Sequence, residues 1–240
     1  MKRVLDITKM TTLIGIATDG EKKGIVLGSD SRRTHQEWKQ QGDIAYKVQT
    51  QREAQKIYVD EKREVAVTMT GVVDPNYTEF LTGILNGSIN VKEAIEKGYF
   101  ADLNELNLRR WEFKLPNIEN SNALLLATRY ENDPQLHTCY PLGAIERRAW
   151  TSIGSGEEHA INYILSQAVS VPALNPPNIT LAQGVDLAYQ GLKEASQDIY
   201  TGGLDLVVIG EEKIIEFGEK IKTSLDNAEQ KTITNIRNSL

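Results

Sequence analysis

The order of elements predicts an α+β fold with two antiparallel sheets covered by helices. Three observations carry this. Strand-like and helix-like runs fall in segregated blocks (strands, helices, strands, helices, strands), which disfavours an alternating parallel βαβ fold. The early strands are joined by short turns. The 240 residues suit one domain with a sizeable core.

The elements follow in chain order. Thr12-Leu13-Ile14-Gly15-Ile16-Ala17 is β-prone and ends at the turn pair Asp19-Gly20; Gly24-Ile25-Val26-Leu27-Gly28 returns as a hairpin partner. Residues 35–52 are polar and are expected to form a loop or extended excursion. Lys56-Ile57-Tyr58-Val59 and Glu64-Val65-Ala66-Val67-Thr68-Met69 make a second hairpin. Asp74-Pro75 starts a helix, with Pro in the first turn. Leu81, Ile84, Leu85, Ile89, Val91, Ala94 and Ile95 keep helical spacing, with a break near Gly87. Residues 99–113 extend this helical block. Strands resume at 123–128 and 136–140, and helices at 157–169 and 180–197. A late strand covers 204–209, and the charged tail from 219 is expected to be helical.

Composition narrows the function classes. Apolar residues make up 40% and charged residues 25%, ordinary for a globular protein. The net charge of -6 argues against nucleic acid as the main partner, because phosphate binding needs clustered Lys and Arg. Cys139 is the single cysteine, so no intrachain disulfide can form; in an apolar stretch it reads as a small core residue. No apolar run approaches the ~20 residues that cross a bilayer. The opening MKRVLDITKM has no secretory h-region. A cytoplasmic, membrane-free protein is the expectation.

Candidate chemistry centres on Met10-Thr11-Thr12. A hydroxyl is a weak nucleophile until a base takes its proton, and a Thr at the chain start can use its own α-amine. That amine titrates near ~7.7–8, so much of it is neutral around neutral pH. A nearby Lys favours the neutral amine and stabilises negative charge on the oxygen, and an Asp holds the Lys. Taken singly, each residue has a plainer reading. Asp30 fits a turn, Lys56 a solvated strand start, and Gly154-Ser155-Gly156 a helix cap. Glu157-Glu158-His159 looks like a metal cluster, but adjacent residues on a helix point different ways. His35 and His137 stand alone and read as structural or surface residues.

The combination is more specific. Thr11-Thr12-Leu13-Ile14-Gly15-Ile16 followed by Gly28-Ser29-Asp30-Ser31-Arg32-Arg33-Thr34 resembles the amino-terminal signature of proteasome β subunits. Lys56-Ile57, Thr68-Met69-Thr70-Gly71, Ser152-Ile153-Gly154-Ser155-Gly156 and Asp198-Ile199-Tyr200-Thr201-Gly202-Gly203 resemble further family motifs, in the family's order. The resemblance runs from Thr11 to about residue 210. It implies a four-layer αββα sandwich of the N-terminal-nucleophile hydrolase type. It also implies a threonine endopeptidase without metal or cofactor, working on peptide or unfolded-protein substrates within a homo- or hetero-oligomeric ring, with α-type subunits as one possible partner.

By that resemblance Thr11 is the nucleophile, Lys56 the cation beside it, Asp30 the residue that orients Lys56, and the Gly71 amide the oxyanion donor. Ser155, Asp198 and Thr201 form the supporting network. Thr34 holds substrate backbone, and Arg33, Ala54, Met69 and Val73 lie near the side-chain pocket. The chain departs from the family at three places. Met10 stands where self-cleaving members carry Gly, residues 34–56 hold an insertion of roughly ten, and Thr201 replaces the usual Ser. Residues 1–10 are thus a propeptide or an upstream extension before a start at Met10, and 11–240 the peptidase domain, a zymogen until Thr11 is freed. Two other readings stay open: a non-catalytic structural subunit that keeps its N-terminus, and a different amidohydrolase or transpeptidase on the same fold.

Overall fold

The computed structural model describes residues 11–20, 23–41, 44–53, 56–60, 64–70, 75–96, 123–130, 133–139, 145–167, 179–197, 202–210 and 214–216. In chain order the elements are β1 (Thr12–Asp19), β2 (Lys23–Ser29), β3 (Arg32–Gln41), β4 (Ile44–Glu53), β5 (Ile57–Asp60) and β6 (Val65–Thr70). Helices α1 (Pro75–Asn86) and α2 (Val91–Glu96) follow, then β7 (Ala123–Tyr130), β8 (Asp133–Cys139), β9 (Ile145–Arg148) and β10 (Trp150–Gly154). Helices α3 (Glu157–Gln167) and α4 (Leu181–Ala195) precede β11 (Asp205–Ile209) and β12 (Ile214–Glu216).

The fold is mixed α+β with two antiparallel five-stranded sheets. The first runs β10-β1-β2-β11-β12 and the second β5-β6-β7-β8-β9. Strand alternation explains why β1 is a continuous apolar run. Leu13 and Ala17 join a buried cluster with Ile57, Ala66, Leu125 and Leu136 of the second sheet. Ile14 and Ile16 join another with Val185, Ala188 and Leu192 of α4 and Ile164 of α3. A strand buried on both faces needs no polar side. β7 divides likewise: Leu125 and Ala127 belong to the cluster shared with β1, while Leu124 and Leu126 meet Leu81 and Ile84 of α1. Each fully buried Leu or Ile contributes about 1.5–3 kcal/mol.

Three points sharpen or add to the expectations. The stretch 35–52, expected as a loop or extended excursion, is extended over its described residues: β3 and β4 pair over ten positions, from Arg32↔Glu53 to Gln41↔Ile44. The missed signal is the alternation Ile44, Tyr46, Val48, Thr50 after the turn pair Gly42-Asp43. The segment before Gly154 is a strand, paired with β1 from Ile16↔Trp150 to Thr12↔Gly154. Strands β9 and β12 add edges that their short sequences did not announce. The expected helical segments at 99–113 and beyond 219 lie outside the described residues. Among the described residues no helix is long and apolar enough to cross a membrane.

Candidate active site

Three chain positions converge where the two sheets meet. Thr11 stands directly before β1, Asp30 directly after β2, and Lys56 directly before β5 of the other sheet. Hairpin pairing fixes the first two: Leu13 lies opposite Ser29, and the Asp30 N–H donates to the Thr12 carbonyl at 3.1 Å. Lys56 arrives from the second sheet because Ile57 beside it is anchored opposite Thr68 and buried between the sheets.

All three are buried, with 1%, 0% and 6% of their surface exposed for Thr11, Asp30 and Lys56. The Lys56 Nζ donates to Thr11 Oγ1 at 2.8 Å and to both Asp30 oxygens, Oδ1 at 3.0 Å and Oδ2 at 2.9 Å. The Thr12 N–H also donates to Asp30 Oδ1, at 2.8 Å. A buried charge is tolerated only when paired and hydrogen-bonded, and this arrangement satisfies both conditions. An ammonium donating to a hydroxyl oxygen stabilises negative charge there.

The backbone of residues 152–156 straps the start of β1. Ser155 N–H donates to the Thr11 carbonyl at 3.3 Å, and Gly156 N–H to Thr12 Oγ1 at 2.9 Å. Gly154 has φ +117°, and a Cβ there would lie 1.7 Å from the Thr11 oxygen. Only glycine permits this approach. Glu157, in the first turn of α3, accepts from the Gly154 N–H at 3.1 Å. On the other side, Ser31 N–H donates to the Gly202 carbonyl at 3.1 Å, which presses residues 202–203 against the neighbour of Asp30.

Of the residues singled out from sequence, Thr11, Asp30, Lys56 and the Ser155 backbone come together. Arg33 and Thr34 lie at the base of β3, in register with Arg52 and Gln51. Met69 is half-buried and packs on the α1 side of its sheet, against the cluster of Val65, Val67 and Leu81. Gly71, Asp198, Thr201, Ala54 and Val73 lie outside the described residues. Sequence reading missed two contributors: Thr12, which braces Asp30 and the Gly156 turn, and Glu157. Only the position of Thr12 inside the motif hinted at its role.

No protein-family model and no curated protein matches the chain. The likeness to proteasome β subunits therefore rests on the motif residues themselves. Other nucleophile candidates are weaker on chemical grounds. Burial pushes the Cys139 thiol up to about 12, which keeps it protonated at neutral pH. Burial, and then the charge of Arg147, lower His137 to about 4. It sits on β8, where its Nε2 is 3.3 Å from Gln135 Oε1.

Proposed function

We propose that this chain is a threonine peptidase of the N-terminal-nucleophile type, built as a four-layer αββα sandwich and resembling a proteasome β subunit. One observation carries the reading: a single buried ammonium, Lys56, reaches the Thr11 hydroxyl and the Asp30 carboxylate at once, across two sheets. A structural Thr at a strand start has no need of a buried ion pair, which is costly to desolvate. The three buried clusters, helix-to-sheet, sheet-to-sheet and sheet-to-helix, support the four-layer architecture.

In this mechanism the α-amine of Thr11, once freed from Met10, takes the hydroxyl proton, directly or through a water. The oxygen attacks the scissile carbonyl carbon while Lys56 offsets the charge that develops. A backbone amide at Gly71 would hold the oxyanion, a contribution of about 3–4 kcal/mol in comparable sites. Collapse breaks the C–N bond, and the amine returns the proton to the leaving nitrogen. Water then hydrolyses the acyl ester and regenerates Thr11. The working form is a subunit of a ring assembly acting on peptide or unfolded-protein substrates.

Met10, in the place of the usual Gly, favours one second reading: a structural subunit whose Thr11 stays inside the chain. Intact-mass spectrometry after treatment with a threonine-directed covalent inhibitor separates the two. The peptidase reading expects a species beginning at Thr11 and carrying one inhibitor, with no adduct on Thr11→Ala. Purified wild type that begins upstream of Thr11, takes no adduct and cleaves no fluorogenic peptide overturns it.

A further inference from the structure

The β3–β4 ribbon is unlike the rest of the fold. Its strands pair with each other and with no other described strand, and they run closely alongside no other described element. Ten residues per strand at ~3.3 Å each make an arm about 30 Å long. A lone two-stranded ribbon is marginally stable in water, so an arm of this length calls for a surface to lie on.

Charge points to that surface. Residues 32–53 hold five Lys and Arg against three Asp and Glu, a net +2; the total is -6, which leaves -8 on the rest of the chain. Glu93 and Glu158 are among the exposed acids of that body. Alternate cross-strand pairs share one face of a ribbon. The register makes Arg33↔Arg52, His35↔Thr50, Glu37↔Val48, Lys39↔Tyr46 and Gln41↔Ile44 one such series, which holds three cations, one acid and the apolar Val48, Tyr46 and Ile44. A cationic and apolar arm on an acidic body is complementary to a second copy of the same chain.

We infer that the β3–β4 ribbon is an assembly arm that docks on the acidic body of a neighbouring copy. The arm is rooted between the ion-pair partners: it leaves after Asp30 and Ser31 and returns just before Lys56. Docking therefore restrains both ends of the segment that carries the site. The inference does not depend on the chemistry of Thr11.

The test is the mass of the full chain in solution, by sedimentation velocity at low and high salt, on the wild type and on Thr11→Ala. One variant shortens the arm by replacing residues 37–48 with an Asn-Gly turn. The other is Lys39→Glu with Lys47→Glu, which moves the arm from +2 to -2 without removing backbone. Wild type and Thr11→Ala are expected to assemble alike, less so at high salt. Both arm variants should be folded by circular dichroism and assemble about tenfold more weakly or worse. Should the shortened chain fail to fold, the charge-reversed chain decides. Wild type that stays monomeric, wild type that carries bound nucleic acid in place of a second copy, or a charge-reversed chain that keeps the wild-type mass overturns the inference.

Discussion

A carboxylate with none of its surface exposed stays ionised only if donors surround it. Asp30 receives Lys56 on both oxygens and the Thr12 N–H on one of them. The pair is therefore predicted to matter more when broken than when replaced. Lys56→Ala strands a buried charge and should destabilise by about 3–5 kcal/mol. Asp30→Asn combined with Lys56→Met should recover much of that stability while remaining inactive. Urea unfolding of the single and double variants checks this; equal losses in both would contradict the buried-pair account. Thr11→Ala removes a hydroxyl but no charge. It should cost little stability and abolish inhibitor labelling and peptide turnover. Gly154→Ala places a Cβ on the Thr11 carbonyl in a left-handed backbone. Strain of that kind costs about 1–3 kcal/mol before the clash is counted. Labelling at Thr11 should fall even in the fraction that folds, as intact mass would report.

At the scale of elements, helix α4 illustrates local consistency between sequence and structure. Thr180 Oγ1 accepts from the Gln183 N–H at 3.2 Å, and Gln183 Oε1 accepts from the Thr180 N–H at 2.8 Å. This reciprocal cap stands where the sequence predicted the helix to begin. Thr180→Ala should cost about 1 kcal/mol, read as a lower urea midpoint with an unchanged slope. Strong local signals of this kind made β1, β2, β5 to β8, the helices α1, α3 and α4, and β11 legible beforehand. The β3–β4 ribbon was less legible, because its alternation lies in one strand only, opposite the polar positions Gln41, Lys39, Glu37 and His35. The Gly154 turn was legible as a motif. Its work is done by backbone atoms, which no side-chain pattern displays.

At the scale of the whole molecule, His137 makes stability depend on acid. His137 ordinarily titrates near 6.5, and burial holds it at about 4 in the folded chain. Between those values the unfolded chain binds the extra proton and the folded chain does not. Stability is therefore unaffected by this group above 6.5 and falls as pH drops towards 4. The full loss is on the order of 3 kcal/mol. Unfolding midpoints at neutral and acid pH should differ less in His137→Gln than in wild type; an equal difference would remove His137 from the account. The site was legible at this scale only as ordered motifs, because spacing along the chain does not reveal which sheet delivers Lys56. That delivery has a consequence for timing. The sheet behind Thr11 is complete only when β10 and β11 have joined β1 and β2, and Lys56 leads into a strand of the other sheet. A chain emerging during synthesis exposes its threonine long before the ammonium can reach it. Under the proposed peptidase mechanism, Thr11 freed from Met10 would gain its partner only at the end of folding, when most of the chain is already packed out of its reach.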